Sequence, residues 1–329
     1  MTTALTRPRP AALELVLPVF NEEEVLGLLL DRLASTFSPE ACAAHGIGRV
    51  RLLFVDDGSR DRTAELVSER IRAGLDARLL RFSRNFGHQA AVCAGLDHAD
   101  ADVIAILDAD LQDPPELVLE MVDRWRAGAD VVYGRRRRRK GNPVKRLAYW
   151  GFYRLVAFLS EIALPLDTGD FGLMDRRVLE ALRALPERLR FQRGLRAWVG
   201  FRQEPLEYDR PERQAGSTKY AWRQLYRLAT DGIASMSTRP LQAAQLGSFL
   251  FGFMTLAFLA MLLGGAFSDA IPRPFLLTYA LIATGNAVQA FCLYILGAYV
   301  ARTYLEVKGR PPYLLLEVVD RPAGDGGTP

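Results

Sequence analysis

Two apolar blocks near the C-terminus, residues 241–267 and 274–301, restrict what this chain can fold into more than any other feature. Each runs for more than 20 residues without a charged side chain, and about 20 apolar residues cross a bilayer as a helix. Buried core helices of that length are rare, so the blocks predict two transmembrane helices joined by the short segment 268–273. Arg223, Arg227 and Arg239 precede the pair, and Arg302, Lys308 and Arg310 follow it. Basic flanks on both sides place both ends in the cytoplasm, with the connecting segment on the far side. Half of the 329 residues are hydrophobic, but the concentration of these in the two blocks leaves a body of ordinary composition before them. Residues 1–10 carry arginines and prolines with no apolar segment behind them, so no cleaved signal peptide is expected.

That body alternates short apolar runs with helical patterns. Residues 13–19, 50–55, 79–82, 103–107 and 131–133 read as strands. Between them Val25, Leu28, Leu29 and Leu33, then Leu66, Val67, Ile71 and Leu75, recur at helical spacing. Strands alternating with helices predict a mostly parallel sheet covered on both faces, with ligands gathered beyond the carboxyl ends of its strands. Further on, 144–162 reads as a helix and 201–208 as extended. Residues 220–235 form an amphipathic helix suited to a membrane surface or to ordinary packing. The tail after Val319 is polar, Gly-rich and expected to be disordered.

The formal net charge of +4 is local in origin, because residues 135–140 alone supply six positive charges. A solvated loop is the common fate of such a run; placed after a strand at the active rim, it could instead hold a lipid phosphate or headgroups. No recognition helix or aromatic stacking pattern accompanies it, so nucleic acid is not an expected partner. Cys42, Cys93 and Cys292 form neither a disulfide framework nor a metal cluster, consistent with a body facing a reducing compartment.

The sharpest chemical signal is Asp108-Ala109-Asp110-Leu111-Gln112 at the end of a strand. In extended backbone, residues two apart point the same way. Asp108, Asp110 and Gln112 can then aim oxygens at one hard cation, Mg²⁺ or Mn²⁺, bridging to a diphosphate. Asp113 reads as the cap of a helix opening at Pro114-Pro115-Glu116. Asn21 with Glu24 makes a capping box, and Asp56-Asp57-Gly58-Ser59 a turn. Yet three such clusters at neighbouring strand ends call for a cation or a bound donor. His88 is expected to pack or to cap.

Residues 17–24, 55–63, 85–87 and 105–116 together resemble glycosyltransferase family 2, with its GT-A nucleotide-sugar fold. The run Leu166-Asp167-Thr168-Gly169-Asp170-Phe171, then 213–220 and two spans, is similar to the polyprenyl-phosphate glycosyltransferases of that family. The resemblance covers residues 13–309. It implies an α/β GT-A domain at 13–215 after an N-terminal extension (1–12). Juxtamembrane helices (216–240), two transmembrane helices (241–302) and a cytoplasmic tail (303–329) would follow, in a multi-pass protein of the inner membrane. It implies transfer of one sugar from a nucleotide sugar, UDP-glucose by best match or else GDP-mannose or another UDP-sugar, with inversion, to a polyprenyl phosphate. Pro18, Phe20, Glu22, Asp57 and Asp108 would hold the donor, Asp108, Asp110 and Gln112 the metal, and Asp110 and Asp170 would serve the reacting sugar. Arg136 and Arg146 are the candidates for the acceptor phosphate, and paired spans offer a surface for a homo-oligomer. In two places the chain departs from the family: Gly172 stands where many members carry arginine, and Tyr149 where a small hydroxyl residue is expected. A processive polysaccharide synthase of the same superfamily fits less well, because Gln192-Arg193-Gly194 does not match a Gln-x-x-Arg-Trp motif. A non-catalytic membrane scaffold would leave the strand-end carboxylates without purpose.

Overall fold

A computed structural model describes residue 7 and residues 11–137, 168–188, 190–209, 239–263 and 273–321. The expected helices at 144–162 and 220–235, together with Arg146 and Tyr149, lie outside the described residues. The chain divides into two compact units, one of residues 1–148, 164–220 and 311–329, the other of 149–163 and 221–310.

The first unit is built on one eight-stranded sheet in the order β7-β5-β6-β4-β1-β2-β3-β8. Its first half follows the expected alternation: β1 (Ala11–Val19), α1 (Glu23–Thr36), α2 (Pro39–Ala44), β2 (Ile47–Asp56), α3 (Thr63–Arg72), β3 (Ala77–Phe82), α4 (His88–His98) and β4 (Val103–Ile106). These four strands are parallel. β1 is central, paired on both edges and buried along most of its length, which is why its sequence runs apolar rather than alternating. In α1 the buried stripe is Leu26, Leu29 and Leu33, while Leu28 is exposed. The run Leu28-Leu29-Leu30 left the helical phase ambiguous by one residue.

After β4 come α5 (Glu116–Arg126), β5 (Val131–Arg136), β6 (Thr168–Asp175), α6 (Arg176–Arg183), α7 (Gln192–Trp198) and β7 (Gln203–Tyr208). Here the sheet departs from the parallel expectation, because β6 inserts antiparallel between β4 and β5. β1 and β4 are neighbours although two strands separate them in sequence. The connections therefore reverse direction between them, and a crevice opens at their carboxyl ends.

The second unit contains α8 (Arg239–Leu263) and α9 (Arg273–Val307). Among the described residues one stretch, Thr284–Val307, is long and apolar enough to cross a membrane; α8 contributes a shorter apolar run, Ala244–Met254. The sequence reading of two full-length spans is therefore met at only one of its two positions by this measure.

Past α9 the chain returns to the sheet. β8 (Leu315–Asp320) pairs antiparallel with β3, where a tail was expected from residue 303. Asp320 accepts from Arg51 (2.6 Å) and Arg78 (2.9 Å), Tyr313 stacks on Phe82 at 5.2 Å between ring centres, and its hydroxyl donates to Asp97 at 3.2 Å. A chain ending at Arg310 loses this strand. Its thermal midpoint should fall by roughly 4–8 °C, as for a loss of ~2 kcal/mol in a unit of this size. Hydrogen exchange should show lost protection in Ala77–Phe82; unchanged exchange there would contradict the role given to β8.

Candidate active site

The three polar clusters singled out in the sequence follow β1, β2 and β4, which are adjacent in the sheet. The loops after β1 and β2 are tied to each other. Asn21 N–H donates to Ser59 Oγ (3.0 Å), Arg60 N–H to Asn21 Oδ1 (2.9 Å), Glu22 N–H to Thr63 Oγ1 (2.9 Å) and Arg62 N–H to Glu23 Oε2 (2.9 Å). Asn21 therefore spends its side chain across the loops, not in the capping box expected with Glu24; the residue before α1 is Glu22, and it makes no side-chain cap bond. Asp57 accepts from the backbone N–H groups of Phe86 (2.7 Å) and Gly87 (3.0 Å). Burial pushes its carboxyl up, against those two donors. It thereby fixes the loop that launches α4. Pro18 is buried, and Phe20 stands 41% exposed at the rim beside Glu22.

The acidic run after β4 is not extended. The strand stops at Ile106, residues 109–110 turn, and Leu111 takes a left-handed φ of 59°. Gln112 N–H donates to Asp110 Oδ1 at 3.1 Å. The alternation argument that aligned Asp108, Asp110 and Gln112 is thus corrected: the segment is an Asx-type turn and not a strand. Asp113, expected to cap α5, lies two residues before the N-cap Pro115, which makes no side-chain bond. It is buried and accepts from Tyr208 Oη at 2.5 Å.

The antiparallel register of β4 and β6 pairs Ile106, the last residue of β4, with Gly172; Asp108 follows two residues beyond that strand, and Asp170 stands on β6 two residues before Gly172. One imidazole lies within 4 Å of both carboxylates, and like charges held this close repel. His88 Nε2, at the first turn of α4, lies 3.4 Å from Asp170 Oδ2 and 3.8 Å from Asp108 Oδ1. Gln89 Nε2 donates to Asp170 Oδ2 (2.8 Å) and Arg193 Nε to Asp170 Oδ1 (3.2 Å). Burial works against the Asp170 carboxylate, but His88, Arg193 and Arg196 outweigh it and hold its pKa well below the usual range. Burial likewise opposes the charged form of His88, yet Asp170 and Asp108 lift its pKa to about 9. The imidazole is 45% exposed, so this charge is open to a ligand. Asp108 moves the other way: burial, with Asp113, Asp110 and Asp170 nearby, raises it to about 6 against the pull of His88.

Two arginines carry unspent donors. Arg196 on α7 is 4% exposed, its Nε and Nη2 have no hydrogen-bond partner, and its guanidinium lies 5.0 Å from the Tyr133 ring centre. Burial pulls its pKa down to about 10. Along β5, alternation sends Arg135 outward to Glu207, with Arg137 3.4 Å from the same carboxylate. Arg136 points inward, bonded to Tyr208, with a buried Nε left unpaired. Of the basic run, therefore, Arg136 faces the site, and residues 138–140 lie outside the described residues. At Gly172 there is no room for a side chain: a Cβ would sit 2.9 Å from the Val132 carbonyl oxygen and 3.5 Å from Arg196 Nη1. Arg196 thus brings a guanidinium, from α7, up to that strand position.

Among the described residues no three His, Cys, Asp or Glu side chains form a ready-made cage. The Asp108–Asp110 turn, with an Asp108 carboxyl that ionises reluctantly for want of positive charge, does fit a hard cation that takes part of its shell from a ligand.

Residues 14–183 match the model of the glycosyl transferase family 2 domain. The Bacillus subtilis glycosyltransferase YkcC is 39% identical over 92% of both chains. The Synechocystis glycosyltransferase sll0501 is also 39% identical, over 93% of this chain and 95% of its own. The Escherichia coli prophage bactoprenol glucosyl transferase homolog is 35% identical over 93% and 99%. The chain belongs to glycosyltransferase family 2. The eight-stranded mixed sheet is the GT-A-like fold of this glycosyltransferase, and Asp108 to Gln112 occupy its crevice between β1 and β4.

Sequence reading took His88 to pack or to cap and did not single out Gln89, Arg193 or Arg196. His88 and Gln89 directly follow the Asn85-Phe86-Gly87 run, and Arg193 and Arg196 stand three apart on one helical face. Either spacing was a usable signal.

The Asp108 shift has a thermodynamic consequence. A carboxyl with a folded pKa of about 6, against an ordinary 3.8, binds its proton more tightly folded than unfolded. It therefore costs stability above pH 6, and the cost disappears as pH falls through 6 toward 4. In chelator at pH 7, Asp108→Asn should raise the thermal midpoint of the full chain by a few degrees. Mn²⁺ should stabilise the wild type and leave the variant unmoved. A variant less stable than wild type in chelator would contradict this assignment.

Proposed function

We propose that this glycosyltransferase moves a single sugar, with inversion, from a nucleotide donor to a polyprenyl phosphate at the cytoplasmic face of the inner membrane. UDP-glucose and undecaprenyl phosphate are the preferred pair, on the strength of the relatives named bactoprenol glucosyl transferase. The observation that carries the reading is the pit where Asp108 lies close to Asp170 beside the unspent donors of Arg196 and Arg136. Acids that want a cation next to guanidinium groups that want an anion suit a metal–diphosphate pair and a second phosphate.

In this reading Asp108 and Asp110, with the Gln112 amide, would hold Mg²⁺ or Mn²⁺ beside the donor. The cation would supply charge neutralisation for the departing nucleoside diphosphate. Pro18, Phe20 and Glu22 line the rim for base and ribose, and Asp57 serves the donor indirectly, through the Phe86–Gly87 loop. Arg136, with Arg146, receives the acceptor phosphate, and Arg193 and Arg196 face the diphosphate. A phosphate monoester loses its second proton near pH ~6, so the acceptor oxygen arrives anionic and needs no strong base. Asp170 is poorly suited to be one, with both oxygens already accepting hydrogen bonds and its pKa depressed. It positions His88, Gln89 and Arg193 around the sugar. The work left to the protein is alignment and the holding of two mutually repelling anions.

Chain connectivity supports two membrane crossings, not one. β7 ends at Tyr208 and β8 begins at Leu315, and both belong to one sheet, which cannot straddle a bilayer. Any crossing by α9 must then be matched by a second between those residues, and α8 is the available helix. A cysteine at Ser268, in a background without the native cysteines, should react with an impermeant thiol reagent in intact cells.

The function is tested by mass analysis of the lipid formed from undecaprenyl phosphate with a panel of nucleotide sugars. One hexose should be added from UDP-glucose, and chelator should stop it. Asp110→Asn should cut turnover at least a hundredfold with folding intact. Arg136→Ala should raise the KM for the lipid phosphate while leaving that for the donor within twofold. Sugar transfer only to a growing polysaccharide, or to no lipid at all, would refute the reading.

A further inference from the structure

On α4, Gln89, Cys93 and Asp97 recur every four residues and so stand in line down one face of the helix. Each is bonded to a different part of what packs there. Gln89 Nε2 donates to Asp170 Oδ2 (2.8 Å), Gln192 Nε2 to Cys93 Sγ (3.0 Å), and Arg190 Nη1 to Asp97 Oδ1 (2.7 Å). Arg193 Nε donates to Asp170 Oδ1 (3.2 Å). The run from Arg190 to Arg193 is therefore clasped along α4, with its foot at Asp97 and its head at Asp170. Arg190 also gathers the loop before it, donating through Nε to the Glu187 carbonyl (3.1 Å).

This clasp decides where α7 stands. α7 has 7 residues, too few to hold a helix by themselves. Its place must come from contacts outside it, and Arg190, just before its first turn, supplies the charged one. The middle contact is not chosen for strength. A thiol is a weak acceptor, and the buried Gln192 spends its amide on one. Such a bond contributes little to stability, yet it fixes how far along α4 the segment sits. α7 in turn carries Arg193 and Arg196. Arg196 is buried, so its guanidinium is held where the α7 backbone puts it.

Asp97 has a second partner. Its other oxygen accepts from Tyr313 Oη at 3.2 Å, and Tyr313 stands in the stretch between α9 and β8. Tyr313 stacks on Phe82, and Phe82 meets Phe86 edge to face at 5.7 Å, in the loop that Asp57 fixes ahead of His88. Asp97 lies eight residues from Gln89, roughly 12 Å along the helix, so it acts on the crevice only through other groups. The Asp97 and Arg190 side chains are 26% and 17% exposed. A pair this wet contributes little to global stability, and its effect on position can be separated from its effect on folding.

We propose that Asp97 is a positioning residue for sugar transfer: through Arg190 it sets where α7 begins, and so where Arg193 and Arg196 meet the donor diphosphate. Through Tyr313 it ties that placement to the chain that leaves α9. The proposal rests on the reading of Arg193 and Arg196 as groups facing the diphosphate, and adds to it the residue that aims them.

The test is calorimetric titration of the full chain with UDP in Mn²⁺, with turnover of UDP-glucose measured on the same preparations. Asp97→Asn keeps the shape and removes the charge that holds Arg190. It should weaken UDP at least fivefold and cut turnover at least tenfold, since a misplacement of about 1 Å costs on the order of a hundredfold. The thermal midpoint should move by no more than a few degrees. Arg190→Met should do the same, and Tyr313→Phe the same to a smaller extent; these two decide the matter if Asp97→Asn fails to fold. Asp100→Asn breaks a more exposed ion pair, with Arg176, near the same end of α4; it should leave affinity and turnover unchanged. In an Arg193→Met/Arg196→Met background, Asp97→Asn should weaken UDP less than twofold further, because the groups it aims are gone. An Asp97→Asn chain that binds and turns over as the wild type does, or a loss just as large in the double-Met background, would overturn the positioning role alone. A wild type that does not bind UDP in Mn²⁺ would overturn the diphosphate reading and the positioning role with it.

Discussion

The closeness of Asp108, just past β4, and Asp170, on β6, is the constraint on which the rest of this glycosyltransferase depends. The antiparallel register brings the two segments together by pairing Ile106 with Gly172, and one imidazole reaches both carboxylates. Everything nearby answers that repulsion. α4 begins at His88 so that an imidazolium sits between the acids, and α7 turns Arg193 and Arg196 toward Asp170. The cations are shared unequally, and the inequality sets the division of labour. Asp170 receives His88, Gln89 and Arg193 and is held ionised. Asp108 faces three like charges, one imidazolium and burial, and is left wanting positive charge. One acid anchors protein groups and the other is kept for something that arrives. Sites built to bind a charged ligand carry this kind of unresolved electrostatics at some cost to stability.

The buried guanidinium of Arg196 is the counterpart on the cationic side. A buried charge with unpaired N–H groups is expensive, and no structural neighbour relieves it fully. Acid short of a cation and arginine short of an anion, a few side chains apart, complement a diphosphate carrying a divalent ion. Gly172 suits the arrangement, since any side chain there would meet the Val132 carbonyl beside Arg196.

Much of this was legible in the sequence, for identifiable reasons. The four parallel strands, their helices and the acidic run after β4 are local patterns, and local patterns survive folding. Arg136 could be singled out because a loop after a strand ends near the rim, and strand alternation then turned it inward. What escaped was set by pairing between distant residues. β6 was read as a motif and not as a strand, so the closeness of Asp108 and Asp170 was invisible. β8 was lost in a tail because six residues carry little periodicity, and only the edge of β3 gives them a partner. The alternation argument for Asp108, Asp110 and Gln112 assumed an extended run, and Leu111 leaves the extended region. His88 was dismissed because a lone histidine usually packs or caps; its significance comes from two acids that are distant in sequence.

The central claim is that the crevice holds a nucleoside diphosphate through a divalent cation on the acid side and Arg196 on the other. Calorimetric titration of the full chain with UDP, in chelator and in Mn²⁺, tests it most directly. Binding should need the cation, weakening at least tenfold in chelator, and Arg196→Met should weaken it further in the presence of Mn²⁺. Equal affinity with and without the cation, or a variant that binds UDP as the wild type does, would contradict the account.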